Sequence, residues 1–426
     1  MLGILRSQEI KNVVIFVCDA LRWDYVPEEV MEMGVTFKTI ASSLHTGASF
    51  PSIVSGLYPP KHRVETWESI LPEGKRGLLS LDEHSISLRC ETMWTRWSSG
   101  ESPVHSVLGN PPEIPLDETG VPFIYIEDDK GGHCPYGLPL GAFGKAGCSE
   151  FFAEYGRRGR QELARQYEKG IEQSIDQFKH RLRTLKNRGL VESTLVIFTS
   201  DHGELLGEYG GLIGHGRPCC PELVYVPTIF IHPALKQGDV IDGGVIRHVD
   251  FCPTITALLG YDLHYDVDGV NLLDQNGLPK SGFSFRKGSF FRKGGPLRKS
   301  LRSSFSYEAD SVWDYYGGHV FHRQRLAKSL PFFIYKVLSQ TNPESRFMKQ
   351  SLRGKGLRRR IKSYCESLRH LTYPHIQYMH PEIDEKTARA MLNEYLENIG
   401  LVEQEEDLIT IDEEVKERLR ALGYID

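Results

Sequence analysis

The chain has 426 residues, of which 40% are hydrophobic and 25% are charged, with a formal net charge of −5 at pH 7. This composition is ordinary for a globular protein, and the length allows one large α/β domain with appendages or two domains. The net charge is too small for a chain of this size to argue for a highly charged partner, so we expect no specific nucleic acid.

The N-terminal segment and the cysteines bear on the compartment. Residues 1–12 contain no long apolar stretch and no cleavage site, which argues against a signal peptide. Apolar runs such as 13–17 are too short to cross a bilayer, so no transmembrane segment is predicted. The eight cysteines are scattered, and only Cys219 and Cys220 are close in sequence. Since adjacent cysteines rarely bond to each other, we expect a reduced, cytoplasmic protein.

Buried strands and one long helix are predicted along the first two thirds of the chain. Continuous runs of β-branched and aromatic residues are typical of strands covered on both faces, and they occur at 12–17, 122–126, 193–200 and 226–232. Apolar residues recur at three- and four-residue steps through 157–189, which predicts an amphipathic helix that ends at Gly189. The pattern indicates an α/β protein with a sheet between helices.

After Leu273 the composition changes. Residues 281–306 are rich in Gly, Ser, Arg and Lys and predict a loop, whereas about 320–405 is predicted helical and 406–426 is an acidic tail with a short helix. We therefore divide the chain into a catalytic core (1–275), a basic irregular insertion (276–345) and a helical C-terminal region that returns to the core with its last dozen residues (346–426).

Two basic stretches, 286–302 and 353–369, are able to steer an anionic polymer or a lipid headgroup toward a site. A solvated loop and helix surface is the favoured interpretation of both.

Carboxylates and histidines follow the predicted strands, at the sheet edge where α/β proteins place their ligands. Taken singly, each is better explained as a helix cap, a turn residue or a polar side chain in contact with solvent. Their joint occurrence indicates a site for divalent metal, because zinc and manganese take carboxylate and imidazole ligands. The candidates are Asp19, Asp129, His133, Asp201, His202 and His215.

Five segments resemble the sulfatase-like branch of the alkaline phosphatase superfamily: VIFVCDALRWD, SFPSIVSGLYPPKH, FTSDHGELLGEYG, HVDFCPTITALLG and the terminal RLRALGYID. The resemblance runs from residue 12 to about 273 and resumes in the last dozen residues. It implies an alkaline phosphatase-like fold with a mostly parallel central sheet sandwiched between helices. It also implies a metal-dependent ester hydrolase or transferase, in which Asp19, Asp201 and His202 hold one ion.

The family spacing, counted back from Gly56, implies that Thr46 is the nucleophile and also a metal ligand. Sulfatases carry Cys-x-Pro-Ser-Arg at this place, and its cysteine becomes formylglycine. Here Ala48 and Phe50 replace the Pro and the Arg, so the maturation motif is absent. A threonine nucleophile is typical of the phosphodiesterase and phosphoglycerol-transferase relatives. Ser49 is the rival but lies three residues too close to Gly56; alternatively, both hydroxyls cap the following helix.

A second ion is implied by Asp129 and His133, which resemble the second-metal motif of phosphatase and mutase relatives. His215 stands where mutases carry a further histidine and sulfatases usually carry a lysine. We therefore expect two divalent ions, zinc or manganese, with calcium or magnesium as further candidates. The alternative is one ion, with His133 as a substrate contact.

Arg22 and His248 are the candidate substrate-binding residues. Arg22 is either an anion contact or a salt-bridge partner, and His248 has a supporting role. The expected substrate is a small or headgroup-like anionic ester, with phosphate esters turned over faster than sulfate esters. The alternatives are a sulfatase with one metal and a non-catalytic relative that binds anions.

Overall fold

The computed structural model describes residues 2–67, 69–91, 102–139, 142–143, 147–274, 278–288, 307–323, 330, 339 and 342–400. Within them the strands are β1 (Asn12–Cys18), β2 (Val35–Ile40), β3 (Ser85–Glu91), β4 (Phe123–Asp129), β5 (Thr194–Thr199), β6 (Leu205–Gly207), β7 (Leu212–Gly214), β8 (Tyr225–Ile231), β9 (Asp239–Arg247), β10 (Ser281–Gly288), β11 (Tyr307–Asp314), β12 (Gly317–His322) and β13 (His375–Met379).

The helices of the same residues are α1 (Glu28–Met31), α2 (Thr46–Ser55), α3 (Pro59–His62), α4 (Pro103–Val107), α5 (Cys148–Arg158), α6 (Arg160–Asn187), α7 (Glu208–Gly211), α8 (Pro221–Val224), α9 (Phe251–Leu259), α10 (Pro343–Ser351), α11 (Leu357–Thr372) and α12 (Glu385–Gly400).

A seven-stranded sheet forms the centre of the fold, in the order β3-β4-β1-β5-β8-β2-β9. All its neighbours pair in parallel except β8, which is antiparallel to both β5 and β2. Strands β1, β4 and β5 are buried along their whole length because helices cover both faces. The expected α/β fold, with a mostly parallel sheet between helices, is confirmed.

The predicted strands all occur, as β1, β4, β5 and β8, but the long helix begins later than expected. Gly159 has φ +102° and separates α5 from α6, so α6 starts at Arg160. Gly189, with φ +68°, follows its C-terminal end, as predicted. Tyr167 of α6 donates a hydrogen bond to the Ala20 carbonyl (2.6 Å) and thereby fixes the loop after β1.

A second sheet of four antiparallel strands, β10-β11-β12-β13, lies in the part of the chain expected to be irregular or helical. Residues 281–288 were predicted as loop and instead form β10, because Phe283 and Phe285 alternate with polar residues; 289–306 lie outside the described residues. Since β12 pairs with β13, the segments 276–345 and 346–426 contribute to one sheet. The acidic tail 406–426 also lies outside the described residues.

The second sheet joins the central fold at the loop before α2. Phe285 of β10 donates its N–H to the Ser42 carbonyl at 2.9 Å, and β10 bridges to Ser43. The eight cysteines are all free thiols. No helix within the described ranges has the length and apolar character needed to span a bilayer.

Candidate active site

Two neighbouring strand ends bring three candidate ligands together. Because β1 and β5 pair in parallel, with Val17 opposite Thr199, Asp19 and Asp201 emerge side by side at one sheet edge. His202 Nε2 lies 3.3 Å from Asp201 Oδ2 and 3.9 Å from Asp19 Oδ1. One ligand atom from each of the three residues lies within 4.8 Å of the others, a grouping of three or more found nowhere else in the described residues.

The electrostatics of this triad fit a divalent cation. Burial and the neighbouring Asp201 carboxylate raise the pKa of Asp19, and Asp19 Oδ1 accepts no hydrogen bond from the described residues. Burial opposes ionisation of Asp201 too, but His202 and the Thr46 hydroxyl lower its pKa overall. His202 Nδ1 lies 2.9 Å from the Gly203 carbonyl. The neutral ring therefore donates there and keeps a lone pair on Nε2 for a metal.

Thr46 is the first residue of α2 and faces the triad. Its Oγ1 lies 3.2 Å from His202 Nε2, and the residue keeps 6% of its surface exposed. The N-terminus of a helix carries partial positive charge, which favours an anionic group beside Thr46. At its other end α2 stops at Gly56, where φ is +74° and a Cβ would lie 3.1 Å from Val267.

Ser49, the rival nucleophile, is directed elsewhere. Its Oγ donates to the Ser43 carbonyl at 3.1 Å, and the residue is completely buried. Its hydroxyl thus ties α2 to the preceding loop, which is a structural role.

The chain turns sharply between Asp129 and His133, the two residues expected to hold a second ion together with His215. Gly131 has φ +37°, and a Cβ there would lie 2.6 Å from the Asp19 carbonyl oxygen. Asp129 Oδ1 accepts the Gly131 N–H at 3.0 Å and so caps its own turn. Among the described residues, Asp129, His133 and His215 do not form a group of three whose ligand atoms all lie within 4.8 Å of one another. A second ion at these residues stays a prediction.

His133 and His215 instead belong to a cluster of imidazoles around His202. The ring centroid of His215 lies 4.4 Å from that of His202 and 5.0 Å from that of His133. His215 Nδ1 lies 3.0 Å from Glu204 Oε2, and Tyr136 donates to the other Glu204 oxygen at 2.8 Å. Burial lowers the pKa of His215 to about 4 and raises that of Glu204 to about 7.

Sequence reasoning missed Glu204 and Asp128. Glu204 stands inside the quoted SDHGE run, two residues after His202, so the signal was present. Asp128 is fully buried, both of its oxygens lack a hydrogen-bond partner in the described part of the chain, and burial and Asp201 raise its pKa. Its position between Glu127 and Asp129 hid it, because an acidic run is usually solvated.

His45 and Arg286 also border the site without having been predicted. His45 precedes Thr46 and packs edge-on against Trp67, with 4.8 Å between the ring centroids. Burial and the nearby Arg286 lower the pKa of His45. Arg286, on β10, donates to the Gly216 carbonyl at 3.1 Å; burial and Arg217 lower its pKa to about 10.

Arg22 and His248 both contact other groups of the protein, and their expected contacts with a substrate stay predictions. The Arg22 guanidinium binds Asp24 at 2.7 Å and Glu208 at 3.0 Å, which is its alternative role as a salt-bridge partner. His248 Nε2 lies 2.9 Å from the Ser200 carbonyl and accepts the Ser42 N–H on Nδ1 at 3.3 Å. His248 therefore holds the end of β5 against the loop before α2 and positions Thr46 indirectly.

A cavity of about 610 Å³ lies beside α2. Its walls combine cations, carboxylates and apolar surface and include Ser43, Ala48, Arg63, Glu65, Phe285 and Arg286. Since Ser43 and Ala48 flank Thr46 in sequence, the cavity shares a wall with the segment that carries the candidate nucleophile.

The fold is that of the alkaline phosphatase-like class, and Asp19, Asp201 and His202 form a possible metal site within it. The sulfatase family model matches residues 139–261. Over 423 residues the chain is 32% identical to the low-salt glycan biosynthesis sulfotransferase Agl7 of Haloferax volcanii, covering 97% of this chain and 96% of that protein. The N-acetylglucosamine-6-O-sulfatase of Bacteroides thetaiotaomicron is 30% identical over 114 residues, 26% of this chain and 20% of that protein.

Solved structures share the fold at low identity. A 2-O GAG sulfatase, BT1596, has a TM-score of 0.56 and 14% identity, covering 96% of this chain and 95% of its own. The phosphonate monoester hydrolase of Agrobacterium radiobacter has a TM-score of 0.53 and 17% identity, covering 88% of this chain and 98% of its own. The chain belongs to the sulfatase family of the alkaline phosphatase-like superfamily, and this membership indicates an enzyme of the hydrolase type.

Proposed function

We propose that the protein is a metal-dependent hydrolase or transferase of sulfate or phosphate esters in which Thr46 is the nucleophile. The observation that carries the proposal is the 3.2 Å separation between Thr46 Oγ1 and His202 Nε2, next to the Asp19–Asp201 pair. Attack by Thr46 Oγ1 on sulfur or phosphorus would break the bond from that atom to the ester oxygen, release the alcohol of the ester and leave the transferred group on Thr46. Water or a second alcohol would then attack the same atom and free Thr46.

Asp19, Asp201 and His202 are the proposed metal ligands. A divalent ion held by them would supply positive charge that favours the threonine alkoxide and neutralises the ester. Thr46 lies at the start of α2, so the helix dipole adds to the binding of the anionic group.

His215 is the proposed base of the second step. With Nδ1 bound to Glu204, the neutral imidazole keeps an unprotonated Nε2 that can take the proton of the incoming hydroxyl. Glu204 is itself fixed by the Tyr136 hydroxyl, which holds the orientation of the imidazole. His133 lies beside this pair and is proposed as a substrate contact.

Transfer of a sulfuryl group is the favoured reaction. The relative matched over nearly its whole length is named a sulfotransferase of glycan biosynthesis, so a sugar hydroxyl is the natural acceptor to test. This choice rests on that relative and reverses the order expected from the sequence, in which phosphate esters came first.

Transfer of a phosphoryl group is the second candidate. It is favoured by a threonine at position 46 and by the absence of the Cys-x-Pro-Ser-Arg sequence around it. A phosphoryl group leaves three equatorial oxygens that a cation and a helix N-terminus can bind.

The experiment is a panel of aryl sulfate, aryl phosphate, phosphodiester and phosphonate esters, each with Mn, Zn, Mg or Ca, with and without a sugar acceptor. We expect turnover that requires Thr46, with aryl sulfate as donor and the rate increased by the sugar. Faster turnover of phosphate esters would select the second candidate. Turnover that is unaffected by Thr46→Ala would contradict both.

A further inference from the structure

A strongly basic surface lies at the start of α11. It consists of Arg353, Lys355, Arg358, Arg359, Arg360 and Lys362, all of which are exposed. No acidic residue occurs in the sequence between 345 and 365. Within the described ranges, none of the six cations forms an ion pair, whereas cations such as Arg157 and Arg165 pair with glutamates.

The opposite part of α11 is fixed to the protein. Ser363 donates to the Gly210 carbonyl at 2.6 Å, and Ser367 donates to the Tyr209 carbonyl at 2.7 Å. The approach is close, because a Cβ on Gly210 would lie 2.1 Å from the Ser363 carbonyl oxygen. Leu371, one turn further on, is buried. The helix is therefore held from Ser363 onward, and the residues before Ser363 present the basic surface to solvent.

Two apolar side chains stand exposed among these cations. Leu357 is 65% exposed and Ile361 is 52% exposed. Being four residues apart, they lie one above the other on the same face of the helix. At 100° per residue, Arg358 and Arg360 lie roughly 80° to either side of this pair. The basic surface is thus amphipathic, with an apolar stripe between guanidinium groups.

We propose that this basic surface docks the protein on an anionic lipid membrane. Leu357 and Ile361 would enter the boundary between headgroups and acyl chains, while the flanking cations bind lipid phosphates. The cations alone would suit any polyanion, but a nucleic acid or a polysaccharide offers no apolar phase for the two exposed side chains. The whole chain is acidic, with a net charge of −5, so attraction to an anionic surface has to come from such a local concentration of charge.

The test is sedimentation of the full chain with vesicles of phosphatidylcholine, with or without phosphatidylglycerol. We expect binding only to the anionic vesicles, weakened at high salt because screening shortens the range of the attraction. Replacing Arg358, Arg359 and Arg360 by Gln should weaken binding roughly a hundredfold, since each cation near an anionic surface contributes roughly fivefold.

The matched control replaces Arg157, Arg158 and Arg165 by Gln. These arginines are also exposed, so the net charge changes equally while the basic surface stays intact. Equal loss of binding in both triple variants would overturn the proposal, because the attraction would then depend on net charge.

A second pair of variants tests the apolar stripe. Replacing Leu357 and Ile361 by Ser should weaken vesicle binding at least roughly tenfold, whereas Val240→Ser, at a site 45% exposed, should leave it unchanged. Leu357, Ile361 and the three arginines between them are exposed, so the thermal unfolding of these variants should be unaltered. Binding to heparin or DNA in place of vesicles, unaffected by the Ser variants, would assign the surface to an anionic polymer and refute membrane docking.

Discussion

Thr46 Oγ1 lies 3.2 Å from His202 Nε2, although 156 residues separate them in sequence. The contact exists because α2 begins at the sheet edge where β1 and β5 end, and His248 ties the loop before α2 to the end of β5. The hydroxyl and the triad are therefore held by one rigid arrangement of sheet and helix. The distance between Thr46 Oγ1 and His202 Nε2 should therefore change when either the loop before α2 or the end of β5 is altered.

The first prediction concerns Thr46 as nucleophile. Thr46→Ala should lower kcat/KM at least ~10²-fold, because the group that accepts the sulfuryl or phosphoryl moiety is removed. Thr46→Ser keeps the oxygen and should retain much of the activity, and Ser49→Ala should be mild since its hydroxyl bonds to the Ser43 carbonyl. Intact-mass spectrometry should find both residues unmodified. Formylglycine at residue 49, or activity that depends on Ser49 and not on Thr46, would reverse the assignment.

The second prediction concerns metal affinity. Asp201→Asn and His202→Ala should each weaken divalent-metal binding at least roughly tenfold in calorimetry, because a charged or imidazole ligand is lost from a buried site. Chelation of the wild-type protein should abolish activity. Asp24→Asn is the matched control, since its carboxylate binds Arg22 and is 57% exposed. Undiminished activity after chelation and in both ligand variants would refute a metal-dependent reaction.

The third prediction is the number of ions. The described ligand geometry supports one ion, so elemental analysis should find one tightly bound metal per chain. His215→Ala should keep that number while lowering activity roughly 10²-fold, the usual contribution of a general base. If the wild-type protein instead holds two ions and the variant holds one, the two-metal site expected from the family resemblance is correct, and His215 is a ligand.

The central sheet was predictable because its strands are continuous apolar runs, and a run such as NVVIFV has few other interpretations. Strands β2 and β3, with sequences VTFKTI and SISLRCE, mix polar and apolar residues and gave no comparable pattern. Strand β10 was hidden by its Gly, Ser, Arg and Lys content. Its strand conformation depends on pairing with β11 and on the Ser42 contact, which are distant in sequence.

Part of the candidate site could be predicted for a similar reason. Asp19, Asp201 and His202 directly follow buried strands, so their place at the sheet edge comes from the strand itself. Arg22 and His248 could not be assigned in this way, because their partners, such as Glu208 and Ser200, are set by tertiary packing. Asp128 was missed since its burial depends on the neighbouring strands β1 and β3.

The last prediction is a pH dependence of the free energy of unfolding that originates in His62, the last residue of α3. His62 is fully buried; the Ser52 hydroxyl lies 3.1 Å from its Nε2, and its Nδ1 accepts the Val64 N–H at 3.0 Å. Burial lowers the pKa of His62 to about 3, whereas an unfolded histidine has a pKa of about 6.5. The unfolded state therefore takes up the proton first as the pH falls. The stability contributed by the neutral ring is complete above about pH 6.5 and is lost progressively toward about pH 3.

At pH 5 this one group should cost about 2 kcal/mol of unfolding free energy relative to pH 8. His62→Gln keeps polar atoms near Ser52 and should be less stable than the wild type at pH 8. Because glutamine does not titrate, the variant should lose about 2 kcal/mol less unfolding free energy than the wild type on going to pH 5. Urea unfolding at the two pH values measures the difference. His180→Gln, on the solvent side of α6 with an exposed ring, is the control and should leave the pH dependence unchanged. An identical loss of stability in wild type and His62→Gln would show that His62 is not held neutral.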